Sequence, residues 1–278
     1  METTTATGDV LSILILGLGW TGQFLTELLD ATNVTHASTT RDGRQNTIAW
    51  TLPKDLDHSV DISILPRART VVVTFPVLNA DVMSSFITAY QTKYGPTQWI
   101  LLSSTRPFTG PEKSNRHSPM DTSAERSAAE EVVLKNGGSV LHLAGLWGAQ
   151  RQPCNWVSRF ASTEKLRSKL LVRQLHLIHG KDVARAILAV HDKFKKGERW
   201  ILTDGGCYDW IQLFLTWGSH EQIEMARKLA KEDTACYEAL GNGTLEDIVQ
   251  QGGVEPRLDS GEFWQTFGLQ AEEFLAIK

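Results

Sequence analysis

Leu11-Ser12-Ile13-Leu14-Ile15-Leu16-Gly17-Leu18-Gly19-Trp20-Thr21-Gly22 is the stretch on which the fold turns. A short, β-rich apolar run stops at a glycine cluster, and beyond it Phe24, Leu25, Leu28 and Leu29 share one helical face. The spacing predicts a buried strand, a tight turn and a helix. Between them lies G-x-G-x-x-G, and each glycine has a physical task. Gly17 permits the turn, Gly19 lets the backbone approach a pyrophosphate, and Gly22 allows the helix to pack closely on the strand. The N–H groups of Trp20 and Thr21, opening the helix, are free to meet an anion. The stretch reads as a dinucleotide-binding turn.

Outward from it, strands and helices alternate. Further strands are predicted through Val34 to Thr39, Thr47 to Trp50, Thr70 to Thr74, Trp99 to Leu102, Ser139 to Leu143 and Arg199 to Leu202. Helices are predicted over Asp81 to Tyr90, over Ser123 to Lys135, and from near Asp182. Short apolar strands separated by helices point to an α/β protein with a doubly wound parallel sheet. The rhythm fails in two places. Residues 9–148, completed by 172–204, form the expected core around the glycine turn, and 149–171 with 205–278 form a second, smaller lobe, including one helix from Gln222 to Leu240.

Composition excludes other classes. The 278 residues are 41% hydrophobic and 22% charged, which is ordinary for a globular chain. With 28 basic and 32 acidic residues the net charge is −4, so no basic field favours nucleic acid. The three cysteines, Cys154, Cys207 and Cys236, are scattered and suggest neither disulfides nor a thiolate metal site. No signal peptide or membrane span is evident, which fits a cytoplasmic protein acting on a small molecule, and a homodimer is compatible with the sequence. Asn33-Val34-Thr35 and Asn242-Gly243-Thr244 read as a loop and a turn.

Cofactor choice is read at the end of the second strand. There the chain has Ser38-Thr39-Thr40-Arg41, with Arg44 three further on, and no carboxylate to receive ribose hydroxyls. Thr40 and the Arg41 guanidinium suit a 2′-phosphate, so NADP(H) is expected rather than NAD. Asp42 stands one place late and could pair with Arg41 at the surface.

These residues, with Phe75-Pro76, Leu102-Ser103-Ser104-Thr105, Leu143-Ala144-Gly145-Leu146-Trp147-Gly148 and Ile178-His179-Gly180-Lys181-Asp182-Val183-Ala184, resemble the extended or atypical short-chain dehydrogenases/reductases of the NAD-dependent epimerase/dehydratase type. The resemblance runs over roughly residues 10 to 215, and it implies a Rossmann domain (9–148 with 172–204) that binds the dinucleotide and a smaller substrate-binding lobe (149–171 with 205–278) that closes over the substrate. It implies cofactor contacts at Gly17, Gly19, Trp20, Thr21, Gly22, Thr40, Arg41, Thr74, Phe75, Pro76, Ser103 and Leu146. It also implies a catalytic serine or threonine and a Tyr-x-x-x-Lys, in which the phenol moves a proton and the lysine lowers its pKa. Ser104, with Thr105 beside it, matches the first. With Glu130 as anchor, the lysine position holds Arg126 and the tyrosine position Thr122. No tyrosine occurs between Tyr94 and Tyr208.

A threonine hydroxyl is too weakly acidic, and arginine too firmly protonated, to assemble the usual relay. Three readings stay open. The chain transfers a hydride with Ser104, Thr105, Arg106, His117 or His179 supplying the proton. It isomerises or cyclises a substrate without net redox change. Or it is a non-enzymatic NADP(H)-binding regulator, similar to the nitrogen-metabolite-repression class. Plainer readings apply elsewhere: His176 and His179 have no third metal ligand, Glu130-Glu131 form a wet helix face, and Lys193, Lys195 and Lys196 follow a helix end. Nine tryptophans are present; Trp20 and Trp147 are expected to border the cleft, and Trp156, Trp210, Trp217 and Trp264 to favour an apolar or aromatic substrate.

Overall fold

A computed structural model describes residues 10–56, 59–110 and 112–277. The first half runs β1 (Leu11–Leu16), α1 (Trp20–Ala31), β2 (His36–Thr40), β3 (Ile48–Ala49), β4 (Ala68–Val73), α2 (Ala80–Tyr94), β5 (Gln98–Ser104) and α3 (Ser127–Lys135). It continues with β6 (Ser139–Leu143), β7 (Gly145–Trp147), α4 (Cys154–Val157), α5 (Thr163–Val172), β8 (Gln174–Leu175), β9 (Leu177–His179), α6 (Gly180–Asp192) and β10 (Arg199–Leu202). The remainder is β11 (Tyr208–Asp209), α7 (Trp210–Trp217), α8 (His220–Glu232), α9 (Thr234–Leu240), α10 (Leu245–Gln250) and α11 (Gly261–Phe267).

Seven strands form one parallel sheet in the order β10-β6-β5-β4-β1-β2-β3. The chain enters at β1, winds outward through β2 and β3, then returns to β4 on the other side of β1 and winds the opposite way. Strand order therefore reverses between β1 and β4, and a crevice opens beyond their carboxyl ends, where open α/β sheets bind ligands.

Alternation along each strand builds two cores. Ile13, Ile15, Val72, Ile100, Leu102 and Leu141 face α1 and α6. Leu14, Leu16, Val71, Val73, Leu101 and Val140 face the other way, toward α2 and α3. On that second side Phe86 meets Trp99 edge-on with ring centroids 5.2 Å apart, a geometry worth about 0.5–1.5 kcal/mol beyond burial. The buried Tyr90 phenol is satisfied, donating to the Pro66 carbonyl (2.7 Å) and accepting from Ala68 N (3.0 Å). A third cluster, with Val157, Leu166, Leu170, Trp210, Phe214 and Leu229, is the core of the lobe.

Three details differ from the sequence reading. The helix expected from Ser123 begins at Ser127, and 122–126 are turns and a bend. The helix expected from Gln222 to Leu240 is two helices, because Asp233 is extended (φ −85°, ψ 119°) and its carboxylate accepts from Cys236 N (3.0 Å), capping α9. Finally α11 packs on the sheet, since Phe263, Trp264 and Phe267 join the core beside Trp200 and Leu202 rather than the lobe.

Candidate cofactor and active site

The glycine turn is held by threonines from both neighbouring strands. Gly17 has φ +96° and donates its N–H to Thr39 Oγ1 (3.0 Å), while Leu18 N donates to the Thr39 carbonyl (2.7 Å). Just past the end of β4, Thr74 Oγ1 donates to the Gly17 carbonyl (2.7 Å). A Cβ on Gly17 would stand 2.9 Å from the Phe75 ring, and one on Gly22 only 2.8 Å from the Gly17 carbonyl oxygen. Gly19 differs: its φ is −91°, and apart from its own chain neighbours nothing lies within 4 Å of where its Cβ would be. Backbone strain and internal packing therefore explain two glycines but not the third, whose missing side chain leaves an open cradle against the start of α1. No side chain caps that helix and no acidic residue stands in its first turn, so its N–H groups and positive dipole end face the same space. The donor set and the cradle fit a pyrophosphate.

Trp20 does not line this space with its indole; the ring is buried against Phe24, with centroids 4.8 Å apart, and its Nε1 has no partner. The Arg151 guanidinium lies 4.6 Å over the ring, bringing a cation from the loop after β7 toward the turn. Thr21 is buried as well. At the end of β2, the Thr40 hydroxyl is buried and donates to Thr47 Oγ1 (2.7 Å), whose own proton goes to the Arg44 carbonyl. Arg41 is exposed, and among the described residues it makes no ion pair. Asp42 is paired with Arg44 (3.2 Å) rather than with Arg41, which corrects the alternative raised from the sequence and leaves the guanidinium at the strand end available.

A cleft of about 720 Å³ follows the strand ends, lined by Leu52 to Asp55 after β3 and by Phe75 to Ala80 after β4. A smaller cavity of about 250 Å³ shares Leu78 and Glu125 with it and adds Arg106, Pro107, Asp121 and Arg126. Pro76 thus borders the larger space and Arg126 the smaller. Leu146 lies in β7, half-buried and paired with Ile178 of β9.

Ser104 closes β5, half-buried, with its Oγ accepting from Arg106 N (3.3 Å). Thr105 is tied back by its N–H to the Leu143 carbonyl (3.2 Å). Thr122 is exposed in a turn and shares no helix with Arg126, so the two do not reproduce a one-turn tyrosine and lysine pairing. Tyr208 offers no substitute. Its hydroxyl donates to Asp204 (2.6 Å) and accepts from Leu275 N (3.1 Å), and burial pushes its pKa upward. His117 is exposed and bound to Glu262 (3.1 Å), and His179 caps α6 by accepting from Lys181 N (3.2 Å). His176 is likewise structural, held between the Gly206 carbonyl and Arg257 N. No group of three potential metal ligands occurs among the described residues.

Ser103 faces the opposite side of β5 from Ser104, and its hydroxyl donates to Glu130 of α3. This corrects two expectations. Ser103 is engaged beneath the strand end rather than pointing to the cleft, and Glu130, only 2% exposed, is no part of a wet face. Glu131 is paired with Arg199 (2.5 Å). Beside Ser103 in register stands His142, whose Nδ1–H donates to the Ser104 carbonyl (3.0 Å). Its Nε2 lies 3.9 Å from Glu130 Oε2, and neither atom has a hydrogen-bond partner. Burial raises the Glu130 pKa, with the Ser103 hydroxyl opposing, and lowers that of His142 to about 4. Burial thus keeps the His142 ring neutral beside the Glu130 carboxyl, under the strand end that carries Ser104.

Thr39, His142 and Arg151 escaped the sequence reading. A second threonine beside Thr40 was the available signal for the first; the other two depend on strand register and loop path.

The chain has a doubly wound α/β fold of the Rossmann type, and it is similar to solved structures of a short-chain dehydrogenase/reductase superfamily protein and of a putative NAD-dependent epimerase/dehydratase. Among solved structures, the chain is similar to dTDP-glucose 4,6-dehydratase from Bacillus anthracis in complex with NAD (TM-score 0.62, 12% identity, covering 95% of this chain and 92% of that one). It is similar also to UDP-N-acetylglucosamine 4-epimerase from Bacillus cereus (TM-score 0.58, 11% identity, 95% and 94% covered). A third is RMD from Pseudomonas aeruginosa complexed with NADPH (TM-score 0.56, 14% identity, 96% and 94% covered). No protein-family model matches the chain, and no curated protein matches it. No helix among the described residues is long and apolar enough to cross a membrane.

Proposed function

We propose that this protein is an NADP(H)-dependent oxidoreductase acting on a carbonyl or alcohol of a small molecule. The observation that carries the reading is the open cradle at Gly19 over the uncapped start of α1, with the unpaired Arg41 at the end of β2. The adenosine 2′-phosphate would meet Arg41, and the pyrophosphate the N–H groups of Trp20 and Thr21. Similarity to solved structures with NAD and with NADPH supports a nicotinamide dinucleotide. When bound, that group supplies or accepts the hydride. Ser104 orients the substrate oxygen by hydrogen bonding, and Arg126, facing the smaller cavity, stabilises negative charge there.

A second reading, a non-catalytic NADP(H)-binding protein, is favoured by the exposed position of Thr122 and by the engagement of the Tyr208 phenol with Asp204. One experiment separates the two. NADPH absorbance is followed across a carbonyl panel for the wild type, Ser104→Ala and Arg41→Ala. An oxidoreductase consumes NADPH with some member, and Ser104→Ala lowers turnover while leaving cofactor binding intact. Arg41→Ala weakens NADPH by about 1.5–3 kcal/mol, the worth of hydrogen bonds to a charged group, and NADH little. Tight NADPH binding without turnover supports the second reading, and equal losses for both cofactors remove Arg41 from the phosphate site.

A further inference from the structure

Cations are favoured at the carboxyl ends of helices, where Lys93 stands in the last turn of α2 and Lys231 in that of α8. The start of α1 reverses this placement. Its first turn holds neither an acidic residue nor a side-chain cap, and the Arg151 guanidinium lies over the ring of its first residue, Trp20, 4.6 Å from the centroid. Arg151 is exposed, and among the described residues no carboxylate forms an ion pair with it. A fixed turn puts it there. Gly148 and Arg151 exchange both backbone hydrogen bonds (3.1 and 2.9 Å), and the Gln152 side-chain amide donates to the Ala149 carbonyl (2.7 Å). The His179 ring packs so closely on Gly148 that a Cβ there would collide with it. That ring in turn meets Trp147 (centroids 4.6 Å apart) and Phe24 (5.5 Å), and Phe24 meets Trp20 (4.8 Å). A closed circuit of rings therefore joins the loop after β7 to the start of α1, with Arg151 on the last of them.

A positive helix end and a cation beside it repel one another, and an anion shared between them relieves both. We infer that Arg151 is a diphosphate ligand, reaching from the loop after β7 to the diphosphate whose other oxygens take the N–H groups of Trp20 and Thr21. The inference rests on the dinucleotide reading of the glycine turn for the identity of the occupant. Arginine suits the place, since its fork gives two parallel N–H bonds to a phosphate while its flat face stacks on an indole. Arg41 and Arg151 then divide the cofactor between them. The first meets the 2′-phosphate that only NADPH carries, and the second meets the diphosphate that NADPH and NADH share. Arg151 also stands three residues before α4, whose Val157 belongs to the core of the lobe. The nucleotide is thus held both by the glycine turn and by the segment that leads into the lobe.

The test is calorimetric titration of the wild type, Arg151→Gln and Arg151→Lys with NADPH, NADH and inorganic pyrophosphate, at low and at high salt. Gln keeps a polar stem on the Trp20 ring without the charge, Lys keeps the charge, and thermal melts confirm that both variants fold. Arg151→Gln should lose about tenfold with NADPH and with NADH alike, about 1.4 kcal/mol. Its affinity should also fall less steeply with salt than that of the wild type, and Arg151→Lys should recover part of the loss. Wild-type affinity in Arg151→Gln overturns the proposal and leaves the dinucleotide reading standing. So does a loss confined to NADPH, which would move the guanidinium to the 2′-phosphate. A loss that Lys does not restore and that leaves the salt dependence unchanged makes Arg151 a packing residue and likewise overturns it. Binding of pyrophosphate that depends on Arg151, with neither nucleotide bound, keeps the diphosphate ligand and removes the dinucleotide. Binding of none of the three overturns both.

Discussion

At the residue scale, the glycines of the turn differ in what they serve, and that difference is measurable. Gly22 faces the Gly17 carbonyl oxygen, so Gly22→Ala forces backbone apart and should lower the melting temperature. Gly19 has a negative φ and open space at its Cβ position, so Gly19→Ala should melt like the wild type yet lose NADPH binding by tenfold or more, about 1.4 kcal/mol. Retained binding in a stable Gly19→Ala protein would remove the pyrophosphate from the cradle. His142 makes a second prediction, through pH. Its folded pKa is depressed from 6.5 to about 4 by burial, so the unfolded chain binds the extra proton first. Stability is complete above about 6.5 and falls as the pH drops toward 4, by on the order of 3 kcal/mol. Glu130 acts in the opposite sense, because its raised pKa favours the protonated folded form and its contribution is lost as pH rises through the folded value. His142→Asn can still donate toward the Ser104 carbonyl but does not titrate. Urea unfolding between pH 4 and 6.5 should be flatter for the variant, and parallel curves would show that His142 is not the group responsible.

At the element scale, the strands were legible because their apolar runs are buried on both faces; Ser139–Leu143 and Arg199–Leu202 match to the residue. Helix starts were less legible. The periodicity of Ala124 and Ala128 continued back past the true start of α3, since turns tolerate the same residues and the helix only begins where it meets the sheet. The break at Asp233 was hidden for another reason: apolar spacing persists on both sides of it, and the stop is a single carboxylate acting as a cap. That carboxylate also binds Arg167 of α5 at 2.8 Å, tying α5 to the α8–α9 corner. Asp233→Ala should cost about 0.5–2 kcal/mol for the cap, plus at most about 1 for the partly exposed ion pair. Asp233→Asn keeps a capping oxygen and should lose only the second part. Denaturant unfolding that finds the two variants equally weak would assign the whole effect to the ion pair.

At the scale of the whole molecule, the turn, the strand order and the crevice were readable from one end of the chain, whereas what faces the crevice from the other end was not. Arg151 lies 131 positions beyond Trp20, and only the path of the loop after β7 brings its guanidinium over that ring. Trp264 was assigned to the lobe from its position in the chain, but α11 returns to the sheet, where the Trp264 indole donates to the Thr203 carbonyl (3.0 Å). Of the nine tryptophans, Trp20 is the one within the glycine turn, first residue of α1 and covered by Arg151. A dinucleotide settling on that helix would contact the backbone of Trp20 and compete for the guanidinium above its ring. NADPH should therefore quench tryptophan emission, and Trp20→Phe, which keeps a ring beneath Arg151, should reduce the amplitude of quenching while leaving the midpoint of the titration nearly unchanged. An unchanged amplitude would mean that the bound nucleotide does not reach the start of α1, and the cradle at Gly19 would then need another occupant.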